Sequence, residues 1–408
     1  MSYNNFSPSR GRRAHSVYQS KNHTARRSGP AGRGNHKKYI NPALFVRAAK
    51  PSAEIAYQPV NKFADFACNP LIKSNLTARD IMTPTPIQDQ AIAPGLAGKD
   101  VIGIANTGTG KTIAFAVPLL EKLMASRQNR ALIMAPTREL AQQIETECEM
   151  IARGSSLRGA LLIGGSPMGA QLRDLCRNPQ IVIGTPGRIK DHLQRHNLDL
   201  ANFNSVVLDE VDRMLDMGFI NDVKLILGNL AKPRQSFLFS ATLDDSVKTL
   251  INSFVNQPVM ISVKNGATSD NIAQDVVAFA SNHEKIAKLH DLLISQNVRK
   301  ALIFDETRRS VERLQKELVA RGLKVEAIHG GKSQGQRQRA LNNFKLSAVP
   351  VLVATDVAAR GIDIIDITHV INYSTPNSYE DYAHRIGRAG RAGRPGKALT
   401  FIEKSSAR

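Results

Sequence analysis

Residues 105–112 read Ala-Asn-Thr-Gly-Thr-Gly-Lys-Thr and lie between an apolar run at 100–104 (Asp-Val-Ile-Gly-Ile) and a stretch with helical patterning. We call residues 105–112 the phosphate loop, because small residues before a helix let backbone N–H groups close around phosphate oxygens. Lys111 can reach the β and γ phosphates, and the hydroxyl of Thr112 can bind Mg²⁺. Ala105 stands where the commonest form of such a loop has glycine. The alternative is a Gly/Thr turn before a helix, with Lys111 facing solvent.

The composition indicates a globular protein of about two or three domains. The chain has 408 residues, of which 42% are hydrophobic, enough for ordinary buried cores. Its three cysteines, Cys68, Cys148 and Cys176, form no Cys-x-x-Cys pair, which argues against a disulfide framework and a zinc site. No apolar run approaches the ~20 residues that cross a bilayer, and the amino terminus lacks the apolar core of a secretory signal. We therefore expect a cytoplasmic protein.

The net charge of +20 is concentrated at the amino terminus. Residues 1–50 contain eleven Lys or Arg and no Asp or Glu, and the first acidic residue is Glu54. Stretches such as 9–13 (Ser-Arg-Gly-Arg-Arg) have almost nothing apolar to bury, so we expect a disordered tail that holds nucleic acid by counterion release. The alternatives are a solubilising tail and an organelle transit peptide. Residues 39–50 are partly apolar, and we expect them to dock on the protein's own body rather than on a partner.

Short apolar runs alternate with longer patterned segments from Phe63 onward, which is typical of βα units around a parallel sheet. The first series of predicted strands is 101–105, 131–135, 160–163, 181–184, 206–209 and 236–240. The second series is 276–280, 301–304, 325–328, 351–354, 369–372 and 398–402. A polar segment at 263–271 separates them and predicts an interdomain linker. We therefore predict an α/β protein with a basic tail at 1–50, a first domain at 51–262 and a second domain at 272–408.

Two adjacent carboxylates, Asp209 and Glu210, follow an apolar run at 206–208. Doubly wound sheets bind ligands at the carboxyl ends of such strands. Asp209 would hold Mg²⁺ through water, and Glu210 would orient and deprotonate the attacking water in phosphoryl transfer. An acidic cluster after a strand is also common as a helix cap. The phosphate loop is what favours the metal site here.

A third group at 384–391 (His-Arg-Ile-Gly-Arg-Ala-Gly-Arg) spaces three arginines three residues apart among glycines. Planar guanidinium groups suit a γ-phosphate whose charge shifts during transfer. A basic surface stripe is the alternative. Beside a phosphate loop, we expect arginine fingers.

Together these segments resemble the DEAD-box family of ATP-dependent RNA helicases over about 63–402, where eleven motifs occur in order. In the first half they are 84–88 (Pro-Thr-Pro-Ile-Gln), 105–112, 136–141 (Pro-Thr-Arg-Glu-Leu-Ala), 164–165 (Gly-Gly), 185–188 (Thr-Pro-Gly-Arg), 209–212 (Asp-Glu-Val-Asp) and 240–242 (Ser-Ala-Thr). In the second half they are Phe304 with Thr307, His329-Gly330 with Gln334 and Arg337, 354–363 (Ala-Thr-Asp-Val-Ala-Ala-Arg-Gly-Ile-Asp) and 384–391. The resemblance implies two tandem RecA-like domains, each a mainly parallel sheet flanked by helices, and a loop that begins with alanine as this one does.

The resemblance assigns residues to ATP and Mg²⁺. Gln88 would read the adenine edge through its amide, so that ATP is preferred to GTP, and Phe63 matches the family's upstream aromatic. Asp363 looks like the contact to ribose across the cleft. The loop residues assigned to the nucleotide are Thr107, Gly108, Thr109, Gly110, Lys111 and Thr112, and those assigned to the metal are Thr112 and Asp209.

Catalysis and coupling are assigned in the same way. Lys111, Asp209 and Glu210 would act on the phosphates, and Arg385 and Arg388 look like the arginine fingers. Ser240 and Thr242 belong to the segment that couples hydrolysis to strand separation. Lys111 would act once ATP and RNA have brought the two domains together.

The resemblance also implies an RNA site that contacts phosphates and 2′-hydroxyls rather than base edges, so binding should be independent of sequence. The residues it assigns are Pro136, Thr137, Arg138, Gly165, Thr185, Arg188, Asp191, Arg337 and Thr355. Taken alone, 185–187 would be a plain turn. Its place in the motif series is what favours RNA contact.

Two positions depart from the family pattern. Asp80-Ile81 stands where the family has glycine followed by an aromatic residue that stacks on adenine. We therefore expect weaker ATP binding than in the aromatic form. Val211 stands where alanine is usual, a change that should affect core packing rather than chemistry.

We therefore predict an ATP-dependent RNA helicase that separates short duplexes or remodels RNA–protein complexes, and that uses hydrolysis for release. One alternative is an RNA clamp or chaperone whose ATPase serves as a timer. A DNA translocase on the same fold is a second, which Gln88 and the motif series disfavour. We expect a monomer without a membrane partner, whose further partners are ribosomal or RNA-decay assemblies. The last predicted strand ends near Arg408, with no extension that would identify an RNA target.

Overall fold

The computed structural model describes residues 41–48, 57–106, 108–263, 271–295, 298–359, 364, 366–390 and 394–404. Two predicted site residues, Thr107 and Asp363, lie outside these ranges. So do most of the predicted tail and nearly all of the predicted linker.

The first domain is built on a seven-stranded parallel sheet. Its strands are β1 (Val101–Ile104), β2 (Ala131–Met134), β3 (Gly159–Leu162), β4 (Ile181–Gly184), β5 (Ser205–Leu208), β6 (Gln235–Ser240) and β7 (Val259–Ser262). Their order across the sheet is β3-β4-β2-β5-β6-β1-β7. Six of them occur where the apolar runs predict strands. The edge strand β7 was not predicted, because its apolar run, Val259-Met260-Ile261, is only three residues long.

Helices cover both faces of this sheet. They are α1 (Pro70–Thr77), α2 (Pro86–Leu96), α3 (Lys111–Ala125), α4 (Arg138–Ile151), α5 (Met168–Cys176), α6 (Pro186–Gln194), α7 (Val211–Asp216), α8 (Ile220–Gly228) and α9 (Asp245–Phe254). Successive side chains on a strand enter opposite cores, as Phe237 and Leu238 do. Val211 is fully buried in the same core as Leu238, so its departure from alanine is a matter of packing.

The second domain has a six-stranded parallel sheet. Its strands are β8 (Ile272–Phe279), β9 (Ala301–Phe304), β10 (Val325–Ile328), β11 (Val351–Ala354), β12 (His369–Asn372) and β13 (Gly396–Glu403), in the order β10-β11-β9-β12-β13-β8. Its helices are α10 (Asn282–Ile294), α11 (Arg308–Ala320), α12 (Gln334–Lys345), α13 (Asp356–Ala359) and α14 (Tyr379–Ile386). The predicted fold class, two α/β domains with parallel sheets, is confirmed. Within the described ranges, no helix has the length and apolarity required to cross a bilayer.

The described part of the predicted tail, 41–48, docks on the second domain. A 3₁₀ helix at Pro42–Phe45 precedes an antiparallel bridge between Arg47 and Gln274 of β8, and the ring of Phe45 is fully buried. Residues 39–50 are predicted from the sequence to dock on the protein's own body, and Phe45 provides the apolar anchor for this contact. Tyr57 is the first residue described after 48, and its hydroxyl donates to Asp89 of the first domain at 2.7 Å.

Candidate active site

The strand order divides one edge of the first sheet into two halves. Strands β5, β6 and β1 are neighbours, and their carboxyl ends lead to the acidic pair, to Ser240 and to the phosphate loop. Strands β3, β4 and β2 are also neighbours, and they lead to Gly165, Thr185 and Thr137. Because all these strands are parallel, their carboxyl ends lie along the same edge. The residues predicted for the nucleotide and for RNA therefore occupy adjoining halves of one edge.

The phosphate loop joins β1 to α3. Gly110 precedes α3 with a left-handed backbone (φ 89°, ψ 24°), and a Cβ atom there would clash with the amide of Gln88. Glycine is required at this position for both reasons. Lys111, the first residue of α3, is 6% exposed and donates from Nζ to the carbonyl of Ala105 at 3.2 Å. Thr112 follows it in the first turn of α3.

Gln88 ties α2 to the phosphate loop. Its Oε1 accepts from the N–H of Thr85 at 2.9 Å, and its Nε2 donates to the carbonyl of Gly110 at 3.0 Å. The hydroxyl of Thr85 donates to the carbonyl of Thr109 at 2.8 Å. The two bonds of Gln88 use one of its amide N–H groups and one of its oxygen lone pairs. The structure thus places the predicted adenine contact directly beside the loop.

The next residue, Asp89, holds the segment that precedes α2, a role that the sequence analysis missed. Its carboxylate accepts from the hydroxyl of Tyr57 at 2.7 Å, the N–H of Val60 at 2.8 Å, and the N–H and side-chain amide of Asn61 at 3.1 and 2.8 Å. Burial alone would raise the pKa of Asp89, but these hydrogen bonds outweigh it and lower the pKa below its ordinary value. The sequence feature that could have identified Asp89 is its position directly after Gln88, in the buried first turn of α2.

The acidic pair lies beside Lys111. Asp209 is 2% exposed, and its Oδ1 lies 3.9 Å from Nζ of Lys111. Burial raises the pKa of Asp209 to about 6, although the charge of Lys111 acts in the opposite direction. Glu210 has a left-handed backbone (φ 53°, ψ 55°), a strained conformation of the kind that is concentrated at functional sites.

These carboxylates fit a hydrated magnesium ion. A buried carboxylate whose pKa is raised favours an added cation. Within the part of the chain that the structure describes, no three His, Cys, Asp or Glu residues converge to form a metal site by themselves. Mg²⁺ commonly binds one or two carboxylates and completes its shell with water and phosphate oxygens. Asp209 and Thr112 are suitable protein partners for such an ion.

Asp212 connects the acidic pair to the predicted coupling segment. Its Oδ2 accepts from the N–H groups of Ala241 and Thr242, both at 3.0 Å, and from the hydroxyl of Thr242 at 3.2 Å. Its own N–H donates to the hydroxyl of Ser240 at 3.4 Å. A shift of the 209–212 segment would therefore be transmitted to 240–242.

The other half of the edge gathers the residues predicted to contact RNA. Thr137 begins α4 and accepts from the N–H of Leu140 at 3.2 Å. The guanidinium of Arg138 covers Gly165, whose φ is 82°, so closely that a Cβ atom there would clash with it. Arg188 donates to the carbonyl of Ser166 at 3.3 Å. Two arginines thus converge on one glycine turn. Of the other predicted members, Pro136 follows β2, Thr185 follows β4, and Asp191 lies in α6, which begins directly after Thr185.

In the second domain, the predicted RNA contact Arg337 takes part in an interdomain ion pair. Its Nη2 lies 2.8 Å from Oε1 of Glu139 on α4, and both side chains are buried. Beside it, Nε2 of Gln334 donates to Oε1 of Gln142 at 3.1 Å. Helix α12 therefore lies against α4 of the first domain. Thr355, the other RNA contact predicted in this domain, is 8% exposed at the end of β11.

Arg385, predicted to be an arginine finger, is held within its own domain. Its Nε and Nη2 bind both oxygens of Asp356 at 2.6 and 2.7 Å. Its Nη1 donates to Oδ1 of Asn372 at 3.2 Å and to the carbonyl of Ser374 at 2.8 Å. In this geometry the guanidinium of Arg385 links α14 to α13 and β12. Arg388 is 5% exposed and lines a small cavity with Asp356.

The residues around the predicted adenine site also have structural roles. Phe63 is 4% exposed and packs edge-on against Phe66 in the core of the first domain, with ring centroids 5.9 Å apart. Ile81 is partly buried against the same core. Asp80 has a φ of 57°, in the left-handed region that favours glycine. That conformation explains why the family has glycine at this position.

Comparison with known proteins points to one family. A family model described as DEAD/DEAH box helicase matches residues 85–250, and one described as helicase conserved C-terminal domain matches 284–393. The DEAD-box ATP-dependent RNA helicase CshA of Bacillus subtilis is 43% identical over 350 residues, 85% of this chain and 71% of that protein. This chain spans 66% to 71% of the length of the first three curated relatives.

Solved structures with bound RNA are similar to this chain as well. Dbp5 of S. cerevisiae bound to RNA and ADP BeF3 has a TM-score of 0.74 and 28% identity, covering 85% of this chain and 90% of that one. Mss116p bound to ssRNA and AMP-PNP has a TM-score of 0.75 and 32% identity, covering 82% of this chain and 73% of that one.

Proposed function

The chain belongs to the DEAD-box family of ATP-dependent RNA helicases, and from this membership we propose that it separates short RNA duplexes locally when ATP and RNA bind between its two domains. It is an ATP-hydrolysing enzyme, as its helicase relatives are. The observation that carries the proposal is the strand order of the first sheet, which sets the predicted nucleotide and RNA residues along one edge. The pair Glu139–Arg337 brings the second domain to that edge.

ATP is proposed to bind between Gln88 and the phosphate loop. The amide of Gln88 has a second N–H and a second lone pair, and this combination matches N7 and the 6-amino group of adenine. The ammonium of Lys111 would leave the carbonyl of Ala105 for the β and γ phosphates. Asp209 and Thr112 would hold Mg²⁺, which when bound neutralises charge that develops on the phosphates. Glu210 would orient and deprotonate the attacking water.

Arg388 is proposed to contact the γ-phosphate from the second domain, with Arg385 holding the backbone that presents it. The four hydrogen bonds of Arg385 to its own domain support this division, because a guanidinium so engaged serves to position its neighbours. Asp363 is retained as the proposed ribose contact. Domain closure would thereby complete the catalytic site.

RNA is proposed to lie across Arg138, Gly165 and Arg188, with Asp212 transmitting changes at the acidic pair to the 240–242 segment. Contacts of this type recognise the backbone, so any short duplex would serve as substrate. Release would follow hydrolysis. A cytoplasmic location, a monomeric state and ribosomal or RNA-decay partners remain predictions from the sequence.

Strand separation tests the proposal. A short RNA duplex is incubated with the protein and ATP, GTP or no nucleotide, and Glu210→Gln serves as a variant that binds both ligands without hydrolysis. We expect separation with ATP, little with GTP and no multiple turnover with Glu210→Gln. Equal separation without nucleotide would indicate an RNA chaperone. Equal stimulation of ATP hydrolysis by single-stranded DNA and RNA would indicate a DNA translocase.

A further inference from the structure

Residues 41–48, which we call the clip, lie outside both family-model matches but contact the helix that carries Arg385. Phe45, at 0% exposure, is the member of the clip that enters the domain. It packs with five buried residues of β8, α14 and β13, namely Ile272, Tyr382, Ile386, Ala398 and Ile402. The second domain thus has a small core of its own that the amino-terminal segment completes.

Two kinds of contact attach the clip. The ring of Phe45 lies 4.6 Å from the ring of Tyr382, centroid to centroid, at an interplanar angle of 52°. The backbone of Arg47 exchanges two hydrogen bonds with that of Gln274, at 2.9 and 2.8 Å. The hydroxyl of Tyr382 donates to Oε1 of Gln274 at 2.9 Å. Gln274 therefore connects the clip's backbone to the tyrosine on which the clip's aromatic ring packs.

The hydrophobic cluster that includes Phe45 has members of α14 on either side of Arg385 in sequence. Tyr382 comes one turn before Arg385, and Ile386 follows it directly. Arg385 itself reaches α13 and β12, whereas Tyr382 and Ile386 face β8 and β13. Helix α14 has only 8 residues, too few to be stable without tertiary contacts. Its position therefore depends on Asp356 on one side and on Phe45 on the other.

We propose that Phe45 is a positioning residue for ATP hydrolysis, acting through Tyr382 and Ile386 on the helix that presents the arginines. This inference rests on the proposed function, because it assumes that Arg388 serves the γ-phosphate. Loss of the Phe45 ring removes one of the contacts that support α14 on the β8 side, and the hydrogen bond from Tyr382 to Gln274 then has to hold the helix without the packed ring. The backbone after Arg385 is then held less precisely relative to the cleft. A misplacement of about 1 Å at a catalytic group costs up to about 10²-fold in rate.

The test compares three substitutions in the full chain, Phe45→Ala, Leu44→Ala and Val46→Ala. Leu44 and Val46 are 53% and 54% exposed, so they control for loss of an apolar side chain from the same segment. We expect Phe45→Ala to lower kcat of RNA-stimulated ATP hydrolysis about tenfold. The KM for ATP should stay within about twofold, because Gln88 and Lys111 belong to the first domain. A wild-type kcat in Phe45→Ala, or an equal loss in Leu44→Ala, would overturn the proposal.

A second variant keeps the test valid if Phe45→Ala does not fold. If thermal unfolding shows that Phe45→Ala is not folded at the assay temperature, Phe45→Leu decides the question, since leucine fills part of the same space. An intermediate kcat with the wild-type KM supports the positioning role, and a wild-type kcat contradicts it. Wild-type protein without any RNA-stimulated hydrolysis would contradict the proposed function instead. The two failures are therefore distinguishable.

Discussion

Lys111 and Arg385, two of the cationic residues that the sequence assigns to the phosphates, are held very differently. Lys111 donates to the carbonyl of Ala105 at 3.2 Å and lies 3.9 Å from Asp209. Arg385 donates four hydrogen bonds at 2.6 to 3.2 Å, two of them to Asp356. The long contacts of Lys111 can be exchanged for phosphate oxygens at small cost. If Arg385 left the bidentate carboxylate of Asp356, a buried guanidinium would lose its ion-pair partner. Both residues are buried and charged, and their existing partners support the proposal that Lys111 contacts phosphate while Arg385 positions the backbone.

The largest expected effect is at Lys111. Lys111→Ala should lower kcat for RNA-stimulated ATP hydrolysis on the order of 10³-fold, because the ammonium is a preorganised charge at the phosphates. Lys122→Ala is the matched control, since Lys122 lies on the same helix and donates instead to the carbonyl of Asn204 at 3.2 Å. The control should lower the melting temperature and leave kcat within about twofold. Phosphate release measures kcat, and more than a tenth of wild-type activity in Lys111→Ala would contradict the assignment.

The second-largest expected effect tests whether Arg385 positions the backbone or contacts the γ-phosphate. If Arg385 and Asp356 act as one unit, then Arg385→Ala and Asp356→Asn should each lower kcat about 10²-fold, and the double variant should lose no more than either. Each should also destabilise the second domain by about 3 kcal/mol, measured by denaturant unfolding. A loss in Arg385→Ala far greater than in Asp356→Asn, with additive effects, would show instead that Arg385 contacts the γ-phosphate.

The interdomain pair Glu139–Arg337 gives a smaller effect. Unlike Arg385–Asp356, this pair must break when the domains separate, so it should contribute to RNA affinity in the presence of AMP-PNP. Glu139→Ala and Arg337→Ala should each weaken that affinity about tenfold, which corresponds to about 1.4 kcal/mol for loss of the ion pair. Glu147→Ala is the control, because Glu147 is also on α4 but pairs with Arg79 inside the first domain at 2.6 Å.

The double variant of this pair decides whether Arg337 also contacts RNA. If the ion pair is its whole role, Arg337→Ala should cause no further loss in the Glu139→Ala background. A further loss, measured by fluorescence anisotropy with single-stranded RNA, would restore the RNA contact that the sequence predicts.

Most of the fold follows from local pattern. Buried parallel strands such as β2 and β4 are continuous apolar runs, so sequence alone locates them. Strand β7 has an apolar run of only three residues, 259–261, and its pairing with β1 depends on the rest of the sheet. The sequence predicts that the segment around Phe45 docks on the protein's own body, since the residues around Phe45 are apolar. Its place on β8 could not, because that contact joins positions more than 200 residues apart.

The candidate site also has features that the sequence predicts and features that it does not. The phosphate loop is predictable because all its chemistry lies within eight consecutive residues. The partners of Arg385 are not, since Asp356 follows β11 and Asn372 ends β12, two strands on opposite sides of β9. The ion pair of Arg337 depends on contact between domains, to which no local pattern refers. Motif order identifies these residues but does not reveal which groups they bind.

The smallest expected effect tests the adenine side of the first domain without altering the contacts of Lys111 or Arg385. Ile81→Phe restores the aromatic residue of the family pattern beside a backbone that Asp80 already turns at a φ of 57°. An added stacking contact of about 0.5 to 1.5 kcal/mol should lower the KM for ATP about three- to tenfold. Asp80→Gly is the control, because it relieves the left-handed strain, raises stability by under about 1 kcal/mol and adds no ring. An unchanged KM in Ile81→Phe would show that the phosphates dominate ATP affinity at this site. A lower KM with constant kcat would show that adenine binding and phosphate chemistry are separable in this domain.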